Sequence, residues 1–328
     1  MNTHSDLLPH DIMQWLLTVT DDPELTQFSL VQPLWSNFGK LIRCFSPRRQ
    51  APLIVKWICQ PEEFNHPRGW NSQTSQQRKW QSYAVEREYY RAYAKPHQYA
   101  VPQLIAQQQI GDSQVLVLSD LDDEGFPLRP AYLTLKQCEP VLHWLAAFHA
   151  EHLNTPADAL WERGSYWHLA TRQDEWHAME SGPLKDAAAA LDSALRNCPF
   201  QTLIHGDAKL ANFCFSRDLT RVAAVDFQYV GGGIGVQDVT YFLGSALSDE
   251  DLLNHTPALL NTYFEALSKR LSARYDKQTI ETLCDTWRNL YNVASADFHR
   301  FLSGWSPSHA KINKSLQHHT RLALAQIY

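Results

Sequence analysis

Apolar and polar positions in the N-terminal part of the chain predict a region of short strands with few helices. Apolar residues recur at helical spacing over 8–19, and the segment 79–94 also favours a helix. Compact apolar runs that are typical of strands occupy 26–34, 41–45, 52–58, 103–108 and 115–118. The stretch 60–77 is polar and is broken by prolines and a glycine, so it predicts a long inserted loop.

Helical periodicity dominates after Gly125. Segments with the spacing of amphipathic helices are 133–152, 183–195 and much of 257–328. The segment 203–228 differs, because two short apolar runs separated by turn residues predict a hairpin there. The glycine-rich run 231–235 predicts a flexible loop or a close backbone approach. We therefore expect a β-rich part over 1–124 and a mostly helical part over 125–328.

The hairpin segment carries the candidate chemistry. A hairpin of this kind is expected to bring Asp207, Asn212 and Asp226 to the same end. Carboxylate and amide oxygens suit a hard cation such as Mg²⁺, which accompanies nucleotide phosphates. The order of Asp207, Lys209, Asn212 and Asp226 is that of a protein-kinase catalytic loop and its metal-binding aspartate. The competing interpretation is an ordinary hairpin with a charged turn, and the combination of motifs disfavours it.

These motifs resemble a known group of enzymes. His205-Gly206-Asp207 with Asn212, followed by Asp226-Phe227-Gln228, resembles the aminoglycoside phosphotransferase and choline kinase superfamily. The later stretch Asp238-Val239-Thr240-Tyr241-Phe242-Leu243 is similar to the ecdysteroid kinase-like branch of that group.

The resemblance implies an α+β, bilobal, protein-kinase-like fold. The small β-rich N-lobe would bind the nucleotide over 1–124, with an insertion near 60–77. The larger, mostly helical C-lobe would carry the catalytic loop and the acceptor site over 125–328. The implied reaction is ATP- and Mg²⁺-dependent phosphorylation of a hydroxyl group on a small molecule, such as an aminoglycoside, choline or a steroid.

Residue roles in the C-lobe follow from the same resemblance. Asp207 would accept or orient the proton of the acceptor hydroxyl, and Asn212 and Asp226 would hold Mg²⁺. Lys209 occupies the place of the protein-kinase lysine that contacts the transferring phosphoryl group, so protein Ser/Thr kinase activity stays open. Gln228 in place of glycine favours a small-molecule acceptor. A catalytically silent nucleotide-binding protein is a further alternative, although every expected position is filled.

A lysine within the third predicted strand is the candidate for the nucleotide phosphates. Lys56 interrupts an apolar run, and an exposed lysine at a sheet edge is the competing interpretation. In the family the lysine pairs with a glutamate on the following helix. Glu86 fits best because Tyr89 and Tyr90 follow it at the family spacing, and Glu88 remains the alternative.

Backbone contacts to the nucleotide are expected at two places. The turn between the first two strands would lay its N–H groups over phosphates through Ser36, Asn37, Phe38 and Gly39, although one glycine makes the signal weak. The family's hinge, which binds adenine, corresponds to Ser119 through Leu121 at the end of the last predicted strand.

The acceptor is expected to be neutral or cationic. Aromatic residues concentrate in 165–176 and 287–305, with carboxylates among them, and such a setting suits an uncharged or positively charged ligand. Trp305 and Asp297 are the residues on which this expectation depends most.

Composition narrows the class of partner. The formal net charge of −6 provides no basic surface of the kind that binds nucleic acid. The six cysteines have no metal-type spacing, which favours reduced thiols and a cytoplasmic protein. With no apolar run of bilayer length, no membrane association is expected.

Overall fold

The computed structural model describes residues 7–61 and 73–327. The chain divides into two compact units. The N-terminal unit comprises Met1–Pro96 and Val101–Pro127, and the C-terminal unit comprises His97–Ala100 and Leu128–Tyr328. The first is β-rich and the second mostly helical, which confirms the expected α+β class.

The N-terminal unit is built on one antiparallel sheet. Its elements are α1 His10–Thr20, β1 Thr26–Pro33, β2 Gly39–Ser46, β3 Ala51–Ile58, α2 Gln73–Glu88, β4 Leu104–Ile110 and β5 Ser113–Ser119. The strand order is β1-β2-β3-β5-β4, so β3 lies at the centre. Ile12 and Leu16 of α1 pack on Ile42, Val55 and Val117, because alternate strand residues face the helix and form the core.

The helix α2 begins earlier than its hydrophobic pattern indicates. Residues 73–77 are helical, so the predicted loop over 60–77 is wrong at its C-terminal end. The run is almost entirely polar, so local backbone hydrogen bonding forms the helix without an apolar stripe that a pattern search could detect. The rest of the predicted insertion, at 62–72, lies outside the described residues. A π turn, Tyr89–Tyr93, continues α2.

The C-terminal unit contains four short strands among helices. Its elements are α3 Leu135–Glu151, α4 Gln173–Ala178, α5 Pro183–Asp186, α6 Ala188–Arg196, β6 Thr202–Ile204, β7 Phe213–Phe215, β8 Val222–Ala224, β9 Gly231–Gly233, α7 Gly235–Ala246, α8 Asp249–Leu271, α9 Lys277–Trp305 and α10 Lys314–Ile327. The helix α3 begins with a capping box between Thr134 and Gln137. Within the described ranges, no helix combines the length and the apolar character that a bilayer crossing needs.

The strands of the C-terminal unit pair in two ribbons. β7 pairs with β8 as the predicted hairpin, whereas β6 pairs with β9. The prediction of a flexible glycine loop is therefore wrong for Gly231–Gly233, and the expected close backbone approach is confirmed. A Cβ atom at Gly231 would collide with the carbonyl oxygen of Trp161, so this strand needs a residue without a side chain.

Candidate active site

A buried carboxylate fixes the start of the candidate catalytic loop. Asp238, on α7, accepts hydrogen bonds from the backbone N–H groups of His205 at 2.6 Å and Gly206 at 2.9 Å. The ring of His149 contacts the same carboxylate at 3.1 Å. Gly206 has φ 76°, and a Cβ there would meet the carbonyl oxygen of Tyr229. The loop can therefore take this turn only with glycine.

The two carboxylate oxygens of Asp207 have different surroundings. Oδ2 accepts hydrogen bonds from Lys209 Nζ at 2.8 Å and from Asn212 Nδ2 at 3.0 Å. Oδ1 is buried and has no hydrogen-bond partner among the described residues. Leaving a buried carboxylate oxygen unsatisfied costs free energy, and such sites in native proteins usually have a function. Oδ1 therefore receives no hydrogen bond from Lys209 or Asn212, and the Tyr241 hydroxyl lies close to the same carboxylate.

Lys209 and Asp207 form a coupled ion pair. Burial opposes the charge on Lys209, but the carboxylates of Asp207 and Asp226 together raise its pKa above the ordinary value. The ammonium group therefore remains protonated at any pH at which the protein would work. The Lys209 ammonium group therefore lies beside Oδ2 of Asp207, and not beside the unpartnered Oδ1.

Asp226 and Asn212 are held on neighbouring backbone segments. Val225 N–H donates to the carbonyl oxygen of Asn212 at 2.9 Å, and the ring of His205 contacts the Val225 carbonyl at 3.0 Å. Asp226 has φ 67°, a strained conformation for a residue with a side chain. Gln228 Nε2 donates to Asp226 Oδ1 at 2.5 Å. Strain of this kind persists where the surrounding structure enforces it, and it concentrates at functional sites.

The residues expected to bind Mg²⁺ fit that ion by their chemistry. The hydrogen bonds of the Asn212 side chain to Asp207 are made by Nδ2, and no hydrogen bond to its amide oxygen is found within the described residues. This oxygen and the Asp226 carboxylate form an all-oxygen donor set, and Mg²⁺ keeps several waters alongside one or two protein ligands. The described residues contain no cluster of three or more His, Cys, Asp or Glu arranged for a metal. A site with two protein donors does not require one.

The structure distinguishes the two glutamates that could pair with Lys56. Lys56 Nζ donates to Glu86 Oε2 at 2.5 Å, and both side chains are buried. Glu88 instead pairs with Arg91 on the surface. β3 is a central strand, so the interpretation of Lys56 as an exposed edge lysine is wrong. The burial of this ion pair holds the ammonium group in a fixed position.

Two backbone N–H groups in the turn between β1 and β2 donate hydrogen bonds within the turn itself. Asn37 N–H donates to the Leu34 carbonyl at 3.1 Å, and Phe38 N–H donates to the Trp35 carbonyl at 3.3 Å. Neither N–H group is directed at a phosphate in this conformation, which counts against that part of the expectation. Phosphate binding stays a prediction for the backbone of Gly39 and of Ser36, whose side chain lies outside the described atoms.

The expected adenine-binding hinge lies at the end of β5. Ser119 N–H donates to the Gln103 carbonyl at 2.9 Å, which fixes the end of the strand. Leu121 is buried, and its carbonyl accepts from Phe126 N–H at 2.8 Å. Asp120 between them accepts from Arg43 Nε at 2.5 Å. The hinge is therefore rigidly held, and its adenine contacts stay a prediction.

The residues expected to contact the acceptor mostly pack against other side chains or form ion pairs within the protein. Asp297 accepts from Arg300 Nε at 2.9 Å, and both side chains are buried. Trp167 is buried, and Trp305 stacks on Phe301 with ring centroids 5.4 Å apart. Asp297 is therefore unavailable to an acceptor, because its charge already neutralises Arg300.

Three tyrosines lie near Asp207, and of these only Tyr166 falls in a segment that was expected to contact the acceptor. The hydroxyls of Tyr166 and Tyr241 are 3.0 Å apart. Burial, followed by the charges of Tyr166 and Asp207, raises the pKa of Tyr241 well above its ordinary value. Burial also raises the pKa of Tyr229 to about 12, against the opposing charge of Arg172. Tyr241 lies in the family-like stretch and Tyr166 in an aromatic segment, but their proximity to Asp207 has no signature in the sequence.

Comparisons with known proteins support the resemblance. The model of the ecdysteroid kinase-like family matches residues 166–274, which include the candidate catalytic loop, and this confirms the resemblance seen in the motifs. No curated protein matches the sequence significantly.

Three similar solved structures are distant from this chain in sequence. A microcompartment-associated aminopropanol kinase is 17% identical, with 95% of this chain and 94% of that chain covered and a TM-score of 0.49. An aminoglycoside phosphotransferase from Streptomyces rimosus, in complex with ADP and streptomycin, is 13% identical, with coverages of 86% and 98% and a TM-score of 0.48. An ethanolamine kinase from Plasmodium vivax is 12% identical, with coverages of 90% and 81% and a TM-score of 0.48. At this level of similarity, substrate and residue roles do not transfer from one protein to another.

Proposed function

We propose that the protein is an ATP- and Mg²⁺-dependent phosphotransferase that phosphorylates a hydroxyl group of a small molecule. The observation that carries this proposal is the state of Asp207. One oxygen of its carboxylate is held by Lys209 and Asn212, and the other is buried without a partner among the described residues. A fixed carboxylate with one available oxygen is suited to receive the proton of an alcohol.

Phosphoryl transfer depends on positioning and on neutralisation of charge rather than on covalent chemistry. In the proposed reaction Asp207 orients the acceptor hydroxyl and accepts its proton. Lys209, held protonated beside it, faces the negative charge that accumulates on the transferred group. Asn212 and Asp226 would hold Mg²⁺, which neutralises charge on the nucleotide phosphates when it is bound.

Residues of the N-terminal unit would contribute nucleotide binding. Lys56, fixed by Glu86, would contact the α- and β-phosphates as a localised positive charge. The backbone near Gly39 and the hinge at Ser119 and Leu121 are the remaining assigned contacts. These nucleotide-binding roles extend the resemblance and belong to the proposal.

Two alternative functions predict different behaviour. A silent nucleotide-binding protein would bind Mg-ATP without turnover on any acceptor, and a protein kinase would prefer a polypeptide. The presence of residues at every assigned position weighs against the first, and Gln228 after Asp226 weighs against the second. A panel of hydroxylated small molecules together with a generic protein substrate separates all three.

The proposed setting is the cytoplasm, and the acceptor is a small hydroxylated molecule. All six cysteines are free, and burial raises the pKa of Cys44 and Cys138 to about 12, which suits a reducing compartment. The expectation of a neutral or cationic acceptor depended on aromatic residues and on three carboxylates among them, Asp174, Glu175 and Asp297. Glu175 and Asp297 pair with Arg172 and Arg300, so neither supports that expectation.

Replacement of Asp207 by asparagine tests the proposal. Asp207→Asn keeps the shape of the side chain but cannot accept a proton, so we expect kcat to fall about 10²–10⁴-fold. Mg-ATP-dependent thermal stabilisation should persist. Asp218→Asn, at an exposed position in the β7–β8 turn, is the matched control and should retain activity. Turnover by Asp207→Asn within a few-fold of the wild type would contradict the assignment.

A further inference from the structure

The segment between α9 and α10 contributes a lysine to the surroundings of Asp207. Lys311 is half-buried, and its Nζ lies 4.6 Å from the ring centroid of Tyr241 and 5.8 Å from that of Phe298. No carboxylate of a described residue pairs with this ammonium group, and it makes no hydrogen bond to a described residue. The faces of the Tyr241 and Phe298 rings contact this ammonium group through cation–π interactions.

The other cations of this region are each matched by a carboxylate. Lys209 pairs with Asp207 at 2.8 Å, and Arg172 pairs with Glu175 at 3.3 Å. Arg300 pairs with Asp297 at 2.9 Å. Lys311 differs from these three cations because no carboxylate of a described residue lies within ion-pair distance of its ammonium group. A partly buried charge without a counterion is costly, and an anionic ligand would recover that cost.

Lys311 is electrostatically linked to the candidate catalytic loop. Burial lowers the pKa of Lys311 to about 8, while the charge of Asp207 opposes this shift and that of Lys209 adds to it. The group thus remains largely protonated near neutral pH. Tyr241 provides the physical connection, because its ring lies under Lys311 while its hydroxyl meets Tyr166 and lies near Asp207. A ligand that extends along the Tyr241 side chain is therefore placed to meet Asp207 with its hydroxyl and Lys311 at its other end.

We propose that the acceptor carries a carboxylate in addition to its hydroxyl group, and that Lys311 binds this carboxylate. The inference rests on the proposed phosphotransferase function and specifies the substrate class of the same site. An acceptor with an ammonium group at that position would be repelled by Lys311, whereas a hydroxy acid gains a charge-assisted hydrogen bond.

Matched compounds that differ only in charge test the inference. The probes are 3-hydroxypropanoate, 1,3-propanediol and 3-aminopropanol, together with their four-carbon homologues 4-hydroxybutanoate, 1,4-butanediol and 4-aminobutanol. Binding to the full chain with Mg-ADP is measured by calorimetry, and phosphoryl transfer from ATP is measured in parallel. We expect the hydroxy acid to bind most tightly within at least one series.

Substitutions at Lys311 assign the preference to this residue. Lys311→Met should weaken binding of the hydroxy acid about 10- to 100-fold and leave the diol unchanged, as expected for loss of a hydrogen bond to a charged group. Lys311→Arg should retain the preference. Lys314→Met, an exposed lysine at the start of α10, is the matched control and should behave as the wild type.

Each outcome separates the inference from the function on which it rests. The inference is overturned if no hydroxy acid binds better than its diol and amino alcohol, or if Lys311→Met leaves the preference intact. Tighter binding of the amino alcohols by Lys311→Met would show that the Tyr241 and Phe298 rings form a cation site that the lysine normally fills. This result would also overturn the inference. Hydroxy acid binding through Lys311 without any ATP turnover would overturn the phosphotransferase proposal and leave the anion site.

Discussion

Removal of Glu86 should destabilise the N-terminal unit and impair nucleotide binding together. Lys56 Nζ lies 2.5 Å from Glu86 Oε2, and the two side chains are only 8% and 2% exposed. Glu86→Ala would leave the Lys56 ammonium group buried without its carboxylate. Breaking a buried ion pair by removing one partner costs about 3–5 kcal/mol. We expect a loss of this size in the free energy of unfolding of that unit.

The same helix provides a matched control two residues further on. Glu88 pairs with Arg91 at 2.6 Å, but the Arg91 side chain is 62% exposed. An exposed pair three residues apart on a helix contributes about 0–1 kcal/mol because water screens the charges. Glu88→Ala makes the same chemical change on the same element, so the difference between the two variants isolates burial of the Lys56 pair.

Urea unfolding measures the free energy of unfolding of the wild type, Glu86→Ala and Glu88→Ala, and calorimetry measures their Mg-ATP affinity. The double variant Lys56→Met/Glu86→Leu removes both charges and fills the space with apolar groups. It should recover most of the stability lost in Glu86→Ala, because no buried charge is left uncompensated. It should not recover Mg-ATP affinity, because the phosphate-binding ammonium group is absent. Equal stability losses in Glu86→Ala and Glu88→Ala, or unchanged Mg-ATP affinity in the double variant, would refute the reasoning.

Three further changes have expected outcomes that follow from single contacts. Asp226→Ala should abolish the Mg²⁺ dependence of nucleotide binding in calorimetry, because the amide oxygen of Asn212 alone does not hold the ion. Unchanged Mg-ATP affinity would mean that the metal binds elsewhere. Gly206→Ala should lower the melting temperature more than Gly111→Ala, because both glycines have a positive φ but only a Cβ at Gly206 would collide with a neighbouring atom. The backbone strain, which the two variants share, costs about 1–3 kcal/mol. Equal shifts in melting temperature would contradict the close contact at Gly206. Asp297→Ala should leave Arg300 buried without its carboxylate and lower the free energy of unfolding in urea by about 3–5 kcal/mol. A variant with wild-type stability and a raised acceptor KM would instead show that Asp297 contacts the acceptor.

Short-range features of the site could be predicted from the sequence. Asp207, Lys209 and Asn212 lie within one turn, so their side chains meet once the local backbone is set, and the structure brings them together. The β7–β8 hairpin was predicted for the same reason, because apolar runs separated by turn residues encode it locally. The α+β class followed from the change of periodicity along the chain.

Long-range pairing decided the rest, because the hydrophobic pattern specifies which face of an element is buried but not what covers it. Helix phase alone left Glu88 open beside Glu86, which the family spacing favoured, and the contact of Glu86 with Lys56 of β3 decides between them. The glycine run of β9 is a strand only because β6 lies beside it.

The charge environment of Asp207 was likewise decided by tertiary structure. Of the carboxylates that the sequence offers to an acceptor, Glu175 and Asp297 pair with arginines and Asp174 is exposed. Lys311, about a hundred residues from the catalytic loop, has no carboxylate of a described residue within ion-pair distance. Whether a charged group is compensated depends on neighbours within a few ångströms. The sequence therefore determined the identity of the reacting groups and their local order, and packing of the helices determined which charges remain available to a ligand.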